Sequence, residues 1–268
     1  MRRESLQWIV PVVLALGVVV AIWFYWWRTH APPAPAEQPA RTLEPQAEVP
    51  AEPAHPLPEE PKARQGELEP LPPLDQSDDY FEMALTDLFG KPLEKQLADT
   101  RLVERVVASI DNLPRKQLAE RIKPLEPVPG QFAAKTEGEN PADGKYTLDP
   151  ANYERYKPLV KMIAETETAD MVELYRRFYP LLQKAYADLG YPNAYFNDRV
   201  VEVIDHVLAT PEVKEPIALV RPNVMYEFAD PELEDLSNGQ KALLRMGSEN
   251  AAIVKAKLRE FREQITKP

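Results

Sequence analysis

The run from Leu6 to Trp27, LQWIVPVVLALGVVVAIWFYWW, contains no charged residue, and no other feature limits the possible folds as sharply. At ~1.5 Å per residue, roughly 22 residues make a helix about 33 Å long, against a bilayer hydrocarbon core of ~30 Å. Trp8 marks one end, and Trp23, Tyr25, Trp26 and Trp27 crowd the other, where amphipathic rings settle at headgroup level. Pro11 falls in the first turns, where a missing backbone donor costs least. A signal peptide is the rival reading. Its apolar stretch is usually ~7–15 residues and ends in small side chains. This one is longer and ends in bulky aromatics, which favours a retained anchor. Arg2 and Arg3 favour a cytoplasmic N-terminus, although Arg28 flanks the other side. The expectation for residues 1–30 is a tail and single transmembrane helix, N-terminus in and C-terminal domain out, touching the lipid bilayer through residues 6–27.

Residues 31–76 repeat Pro, Ala and Glu with almost no aromatic or β-branched side chains. Such a segment buries too little apolar surface to offset its ordering entropy. Proline fixes φ and like charges repel, so a disordered, extended, acidic stalk is expected, with a ceiling near 140 Å at ~3.1 Å per residue. PxxP matches occur in it, but proline-rich composition produces such matches by itself.

Residues 77–268 read as a helical globular domain, large enough for one core without disulfides, and the chain has no Cys. Ser77 precedes two Asp residues and an apolar face through Tyr80, Phe81, Ala84, Leu85, Leu88 and Phe89, with Gly90 as the stop. Asp99 is the expected cap of a second helix, and Pro114 the start of a third through Leu118 and Ile122. Residues 124–149 form an irregular insertion in which Phe132–Lys135 and Lys145–Leu148 are candidates to pair. Asp149-Pro150 starts another helix that Pro158 is expected to break or bend. Thr168 is the expected cap of a helix kinked at Pro180, and Asn193 or Asn197 opens the next. Ile217–Val220 and Val224–Phe228 flank Arg221-Pro222-Asn223 as a second candidate hairpin. The last helix is expected from Ser237, with Leu244, Gly247, Ala251, Val254, Leu258, Phe261 and Ile265 on an a/d seam. Gly247 and Ala251 are poor dimer knobs, which favours docking on the domain's own core over an oligomer through this helix. The fold class is therefore mainly α: anchor helix, Pro/Glu-rich linker, and a multi-helix domain with one or two small β-hairpins.

Chemical signatures are few. GxSxG, HExxH and a phosphate-cradling glycine loop are absent, and only nine Gly and three His occur in the chain. His206 is the only His expected in the folded domain, on the polar side of its helix and without a nucleophile motif beside it. No metal site, cofactor or catalytic residue is assigned. Asp230, Glu232, Glu234 and Asp235 lack the Gly and alternating pattern of a calcium loop and read as an acidic turn. The formal net charge of -11 opposes nucleic-acid binding, although the stalk holds much of it. One segment has binding character. Tyr186 to Arg199 sets aromatics beside Asn, Asp and Arg in a turn, a mixture that suits a sugar or peptide surface. The candidate binding residues are Tyr191, Asn193, Tyr195, Phe196, Asn197 and Arg199. The competing reading is that Tyr195 and Phe196 only staple two helices together.

The strings LPPLDQSDDYF, RVVASIDNLPR, YFNDRVVEVIDHVL, RPNVMYEFADPELEDLS and QKALLRMGSENAAIVKAKLREFR resemble a proteobacterial family of single-pass inner-membrane proteins known only as a domain of unknown function. The likeness covers most of Leu71 to Gln264 and the anchor-and-stalk layout. It implies a location at the bacterial inner membrane with a periplasmic domain, and supplies no activity and no assigned site. The expected function is a membrane-anchored, extracytoplasmic binding or scaffold protein with an envelope-protein or cell-wall partner. The alternatives are an envelope hydrolase using Asp/Glu acid-base chemistry, and a lipid or small-molecule sensor with an interhelical pocket.

Overall fold

Apolar periodicity becomes eight α-helices and one small sheet among the described residues of the computed structural model, which are 52–57, 70–137 and 145–267. All belong to the unit Val49–Pro268. The anchor reading at Leu6–Trp27 and most of the stalk lie outside the described residues. Within them, no helix is long and apolar enough to cross a membrane.

Helix α1 spans Asp78–Phe89 and ends at Gly90, whose φ of 91° is the left-handed stop the sequence calls for. Ser77 does not cap it, because its hydroxyl turns back to donate to the Leu74 carbonyl at 2.8 Å. Helix α2 spans Leu102–Asn112, and its cap is not Asp99. Arg101 occupies the N-cap position at φ 55°. The Asp78 carboxylate reaches across from α1 to accept from the Arg101 and Leu102 amides at 2.6 and 2.7 Å. A tertiary carboxylate thus satisfies the orphan donors that a local side chain normally takes.

The helix expected through Leu118 and Ile122 shrinks to the single 3-10 turn Glu120–Ile122. The chain there returns along α2 in extended form. Ser109 Oγ donates to the Ile122 carbonyl at 2.7 Å, and Leu97 and Leu125 form an antiparallel bridge. Strands β1 (Ala134–Thr136) and β2 (Tyr146–Leu148) pair antiparallel, as do β3 (Ala218–Val220) and β4 (Glu227–Phe228). These are the two hairpins of the sequence, and β2–β3 pairing joins them into one antiparallel sheet in the order β1-β2-β3-β4. Leu148, Ile217, Leu219 and Phe228 bury one face of it against Leu244.

Helices α3 (Ala151–Glu165) and α4 (Thr168–Asp188) each run through an internal proline. Pro158 and Pro180 are both exposed, so water can take the carbonyls that the missing amides leave free. Helix α3 starts one residue later than the sequence suggests, with Pro150 at its N-cap, and Asp149 just before it still accepts from the Ala151 amide at 2.8 Å. Thr168 is the first residue of α4 rather than its cap, and its hydroxyl donates to Glu260 instead. Helix α5 spans Phe196–Leu208, with Tyr195 rather than either Asn at its N-cap. A short helix α6, Pro231–Glu234, carries the acidic turn: Asp230 caps it, Glu234 pairs with Lys241 at 2.7 Å, and Asp235 with Lys116 at 2.6 Å. The last expected helix is two. Helix α7 (Asn238–Arg245) opens on a capping box between Ser237 and Gln240, and α8 (Ser248–Thr266) follows a break at Gly247.

The main core gathers Phe81 of α1, Leu102, Val103 and Val107 of α2, Phe178 and Leu182 of α4, Phe196 and Val200 of α5, and Ile265 of α8. Phe178 sits at its centre, with the Phe81 ring 4.7 Å and the Tyr80 ring 5.7 Å away. Burying each such ring contributes about 1.5–3 kcal/mol. Helix α8 lies along α3, α4 and α5, so the apolar seam faces this chain's own helices. Leu57, Leu71 and Leu74 also pack on the main core. The chain therefore joins the domain before Ser77, where the sequence places its start. Composition hid this, because three leucines among prolines and glutamates do not change a window average.

Candidate functional site

Gly190, at φ 121°, reverses the chain after α4 and leads through Tyr191 to Ala194 into α5. Tyr195 supplies no side-chain cap, so the first amides of α5 take partners from α4. Gln183 Oε1 accepts from the Phe196 amide at 2.8 Å, and Gln183 Nε2 donates to the Ala194 carbonyl at 2.8 Å. The Tyr179 hydroxyl accepts from the Asn197 amide at 3.4 Å and donates to Gln183. The turn is thus fixed at both ends by one helix, a condition for holding side chains in a set geometry.

Two side chains of the first turn of α5 grip another part of the chain. Asp198 accepts from two consecutive amides, Ala54 at 2.9 Å (Oδ2) and His55 at 2.7 Å (Oδ1). Asn197 Nδ2 donates to the His55 carbonyl at 2.8 Å. Asn197 is only 1% exposed and fully employed: Nδ2 also reaches the Ile265 carbonyl, and Oδ1 accepts from the Tyr175 hydroxyl at 3.0 Å. The gripped segment, Glu52–Leu57, alternates. Pro53, His55 and Leu57 are half-buried, whereas Glu52, Ala54 and Pro56 face solvent. The chain bends at Ala54 and His55, which turns their two consecutive amides to the same side, toward one carboxylate.

The electrostatics keep the surrounding hydroxyls neutral. Burial, then the neighbouring Tyr179 and Asp198, push the Tyr175 phenol far above its ordinary value. Burial also raises Tyr179, over the opposing effect of the Asn197 amide. Both remain uncharged hydrogen-bonding groups at any ordinary pH.

The six residues singled out from the sequence fall into different roles. Phe196 is fully enclosed in the main core. Tyr191 stacks on Tyr186, ring centroids 4.7 Å apart, and Tyr186 in turn meets Phe196 at 5.4 Å. Arg199 points away from the gripped segment. Its Nε meets Asp111 Oδ1 at 2.9 Å, its Nη2 the Asp111 carbonyl at 2.8 Å, and its Nη1 Glu202 at 2.7 Å. Burial alone would lower the Arg199 pKa, but the Glu202 and Asp111 carboxylates hold it above its ordinary value. Tyr195 is half-buried at the N-cap, and Asn193 is exposed. Of the six, only Asn197 touches the seated segment through a described side-chain hydrogen bond. Its neighbour Asp198, part of the Tyr186–Arg199 segment but not of the six, makes the larger contact. His55 is also a second histidine on the domain, beside His206, whose half-buried ring has Nε2 enclosed without a hydrogen-bond partner among the described residues.

A 340 Å³ cavity also lies between the loop after α5 and helices α7 and α8, lined by Val213, Glu215, Ile217, Leu244 and Lys255 among others. Two of its charged groups are committed: Glu215 accepts from the Ser248 amide at 2.8 Å, and Lys255 donates to the Thr210 carbonyl at 2.6 Å.

A family model described as "Protein of unknown function (DUF3014)" matches residues 102–262. No curated protein and no solved structure matches the chain. The matched span includes Asn197 and Asp198 and leaves out the Glu52–Leu57 segment they hold.

Proposed function

For a chain that belongs to the DUF3014 family, we propose a binding role: a membrane-anchored, extracytoplasmic binding or scaffold module of the bacterial cell envelope. The uncharged Leu6–Trp27 run supports the anchor, and Arg2 and Arg3 support a cytoplasmic N-terminus. The observation that carries the binding role is the grip of Asn197 and Asp198 on the main chain of a segment from a distant part of the sequence. A surface that holds a chain segment through fixed polar groups, with apolar side chains beside it, has the anatomy of a recognition site.

Two measurements on the full chain test this reading. A reporter active only outside the cytoplasm, fused after Pro268, is expected to be active. Crosslinking in cells followed by capture of the anchored protein is expected to enrich envelope proteins or cell-wall material. An inactive reporter, or capture that recovers neither, contradicts the assignment.

A further inference from the structure

We propose that the Asn197–Asp198 clamp is a binding site for a proline-flanked protein segment that bends at the two residues between its prolines, and that Glu52–Leu57 is its built-in occupant. The inference rests on the binding-module reading and names the class of its partner.

Four observations lead there. First, the hydrogen bonds from the clamp go to the occupant's main chain: the Ala54 and His55 amides and the His55 carbonyl. Such contacts accept many side chains but require two adjacent residues with free N–H groups turned to the same side by the bend. Second, the residues on either side of those donors are Pro53 and Pro56. Prolines stand where no donor is used, and their fixed φ limits the freedom of the flanking chain before it binds, which lowers the ordering cost. The read pattern is proline, two non-prolines, proline. Third, Leu57 follows at once and packs on the main core. The same spacing recurs at Pro50-Ala51-Glu52-Pro53 and Pro58-Glu59-Glu60-Pro61, but Ala54 and Lys62 follow those. The leucine therefore picks one register from three. Fourth, the clamp does not need its occupant. Asp198 is partly exposed and its oxygens turn to water when the segment leaves, while Asn197 keeps Tyr175 and Ile265 as partners. No buried charge is stranded, so exchange of the segment is open to a competitor.

The expected ligand is thus a partner protein's segment of the form Pro-x-x-Pro-Leu. It competes with a tethered copy whose effective concentration is roughly millimolar.

The test uses the full chain in lipid nanodiscs and a fluorescent peptide Glu-Pro-Ala-His-Pro-Leu, read by anisotropy. Three proteins are compared: unmodified, A54P, and A54P with D198A. A54P removes the first donated amide from the stalk and leaves the domain intact. Saturable binding to A54P is expected, at least about tenfold tighter in apparent affinity than to the unmodified chain, given the tethered competitor. Binding is expected to vanish with D198A, and also when the peptide's alanine amide is N-methylated, a control that leaves the protein untouched. Equal binding with and without Asp198, binding of the N-methylated peptide, or no saturable binding to A54P at ~10 mM peptide, well above that effective concentration, overturns the proposal. If D198A still captures the same crosslinked envelope partners, the peptide class fails while the binding role stands. If the peptide binds but no envelope partner is captured, the envelope role fails alone.

Discussion

Phe196→Ala is expected to lower the stability of the domain by about 3–5 kcal/mol, the range for emptying a fully enclosed aromatic site. The ring is 0% exposed and lies between Tyr186 and the α2, α4 and α5 core. Helix α5 starts at this residue, its amide held by Gln183, so the surroundings have little freedom to close over the gap. For a domain of this size each kcal/mol lowers Tm by roughly 2–4 °C, so a fall of about 10 °C is expected in a thermal melt. Asp198→Ala, two positions on, is expected to change stability by less than about 1 kcal/mol, because the aspartate is at the surface and caps nothing in its own helix. The pair of variants separates packing from binding within three residues. A Phe196→Ala protein that melts with the unmodified one contradicts the placement of that ring.

Gly247→Ala is expected to cost about 2–5 kcal/mol, from backbone strain and steric overlap acting together. Gly247 has φ 86° and ψ 158°, a region open essentially only to glycine. A Cβ there would lie 2.7 Å from Cγ of the Tyr153 ring and within 2.9 Å of both Cδ atoms. The ring cannot easily move aside, because Tyr153 packs against the core of the small sheet and Asn250 holds its carbonyl at 3.0 Å. Urea unfolding measures the cost. In a Tyr153→Ala background the same substitution is expected to cost about 1–3 kcal/mol less, since only the backbone strain remains. A loss below about 0.5 kcal/mol in the original background would place Gly247 among ordinary surface positions.

These two residues also show what the sequence reveals and what it hides. The a/d spacing from Leu244 to Ile265 is real, and its residues face the domain, yet it runs across a helix break at Gly247. Periodicity counts side chains and is blind to one backbone torsion. Pro158 does not break its helix and Pro180 does not end its own: α3 and α4 each continue through an exposed proline. Hairpins were legible because β-branched and aromatic residues flank turn residues, but their fusion through Tyr146 and Leu219 is a long-range register that no local pattern encodes. Caps followed the same division. Asp149 and Ser237 act locally and could be read, whereas Asp78 caps α2 from another helix and could not.

The candidate site was half legible. Asn197 stood out because an Asn beside aromatics in a turn is unusual in a purely apolar closure. Asp198 belongs to the same segment of binding character but not to the six candidates, because an acid in a first turn suits the helix dipole wherever it points and sequence does not show which amides it takes. The seated segment was hidden by its composition. Proline-rich, acidic sequence reads as solvated because it has few side chains to bury. Here the segment is held by its main chain, and composition carries no information about where main-chain amides go.

The central claim is that Asp198 holds the Ala54 and His55 amides. Site-resolved amide hydrogen exchange on the full chain measures this directly. Both amides are expected to exchange at least about tenfold more slowly than in an isolated peptide of the same sequence, and to reach the peptide rate in D198A while the α4 and α5 cores stay protected. Exchange at the free-peptide rate in the unmodified protein, or protection that survives D198A, would contradict the account.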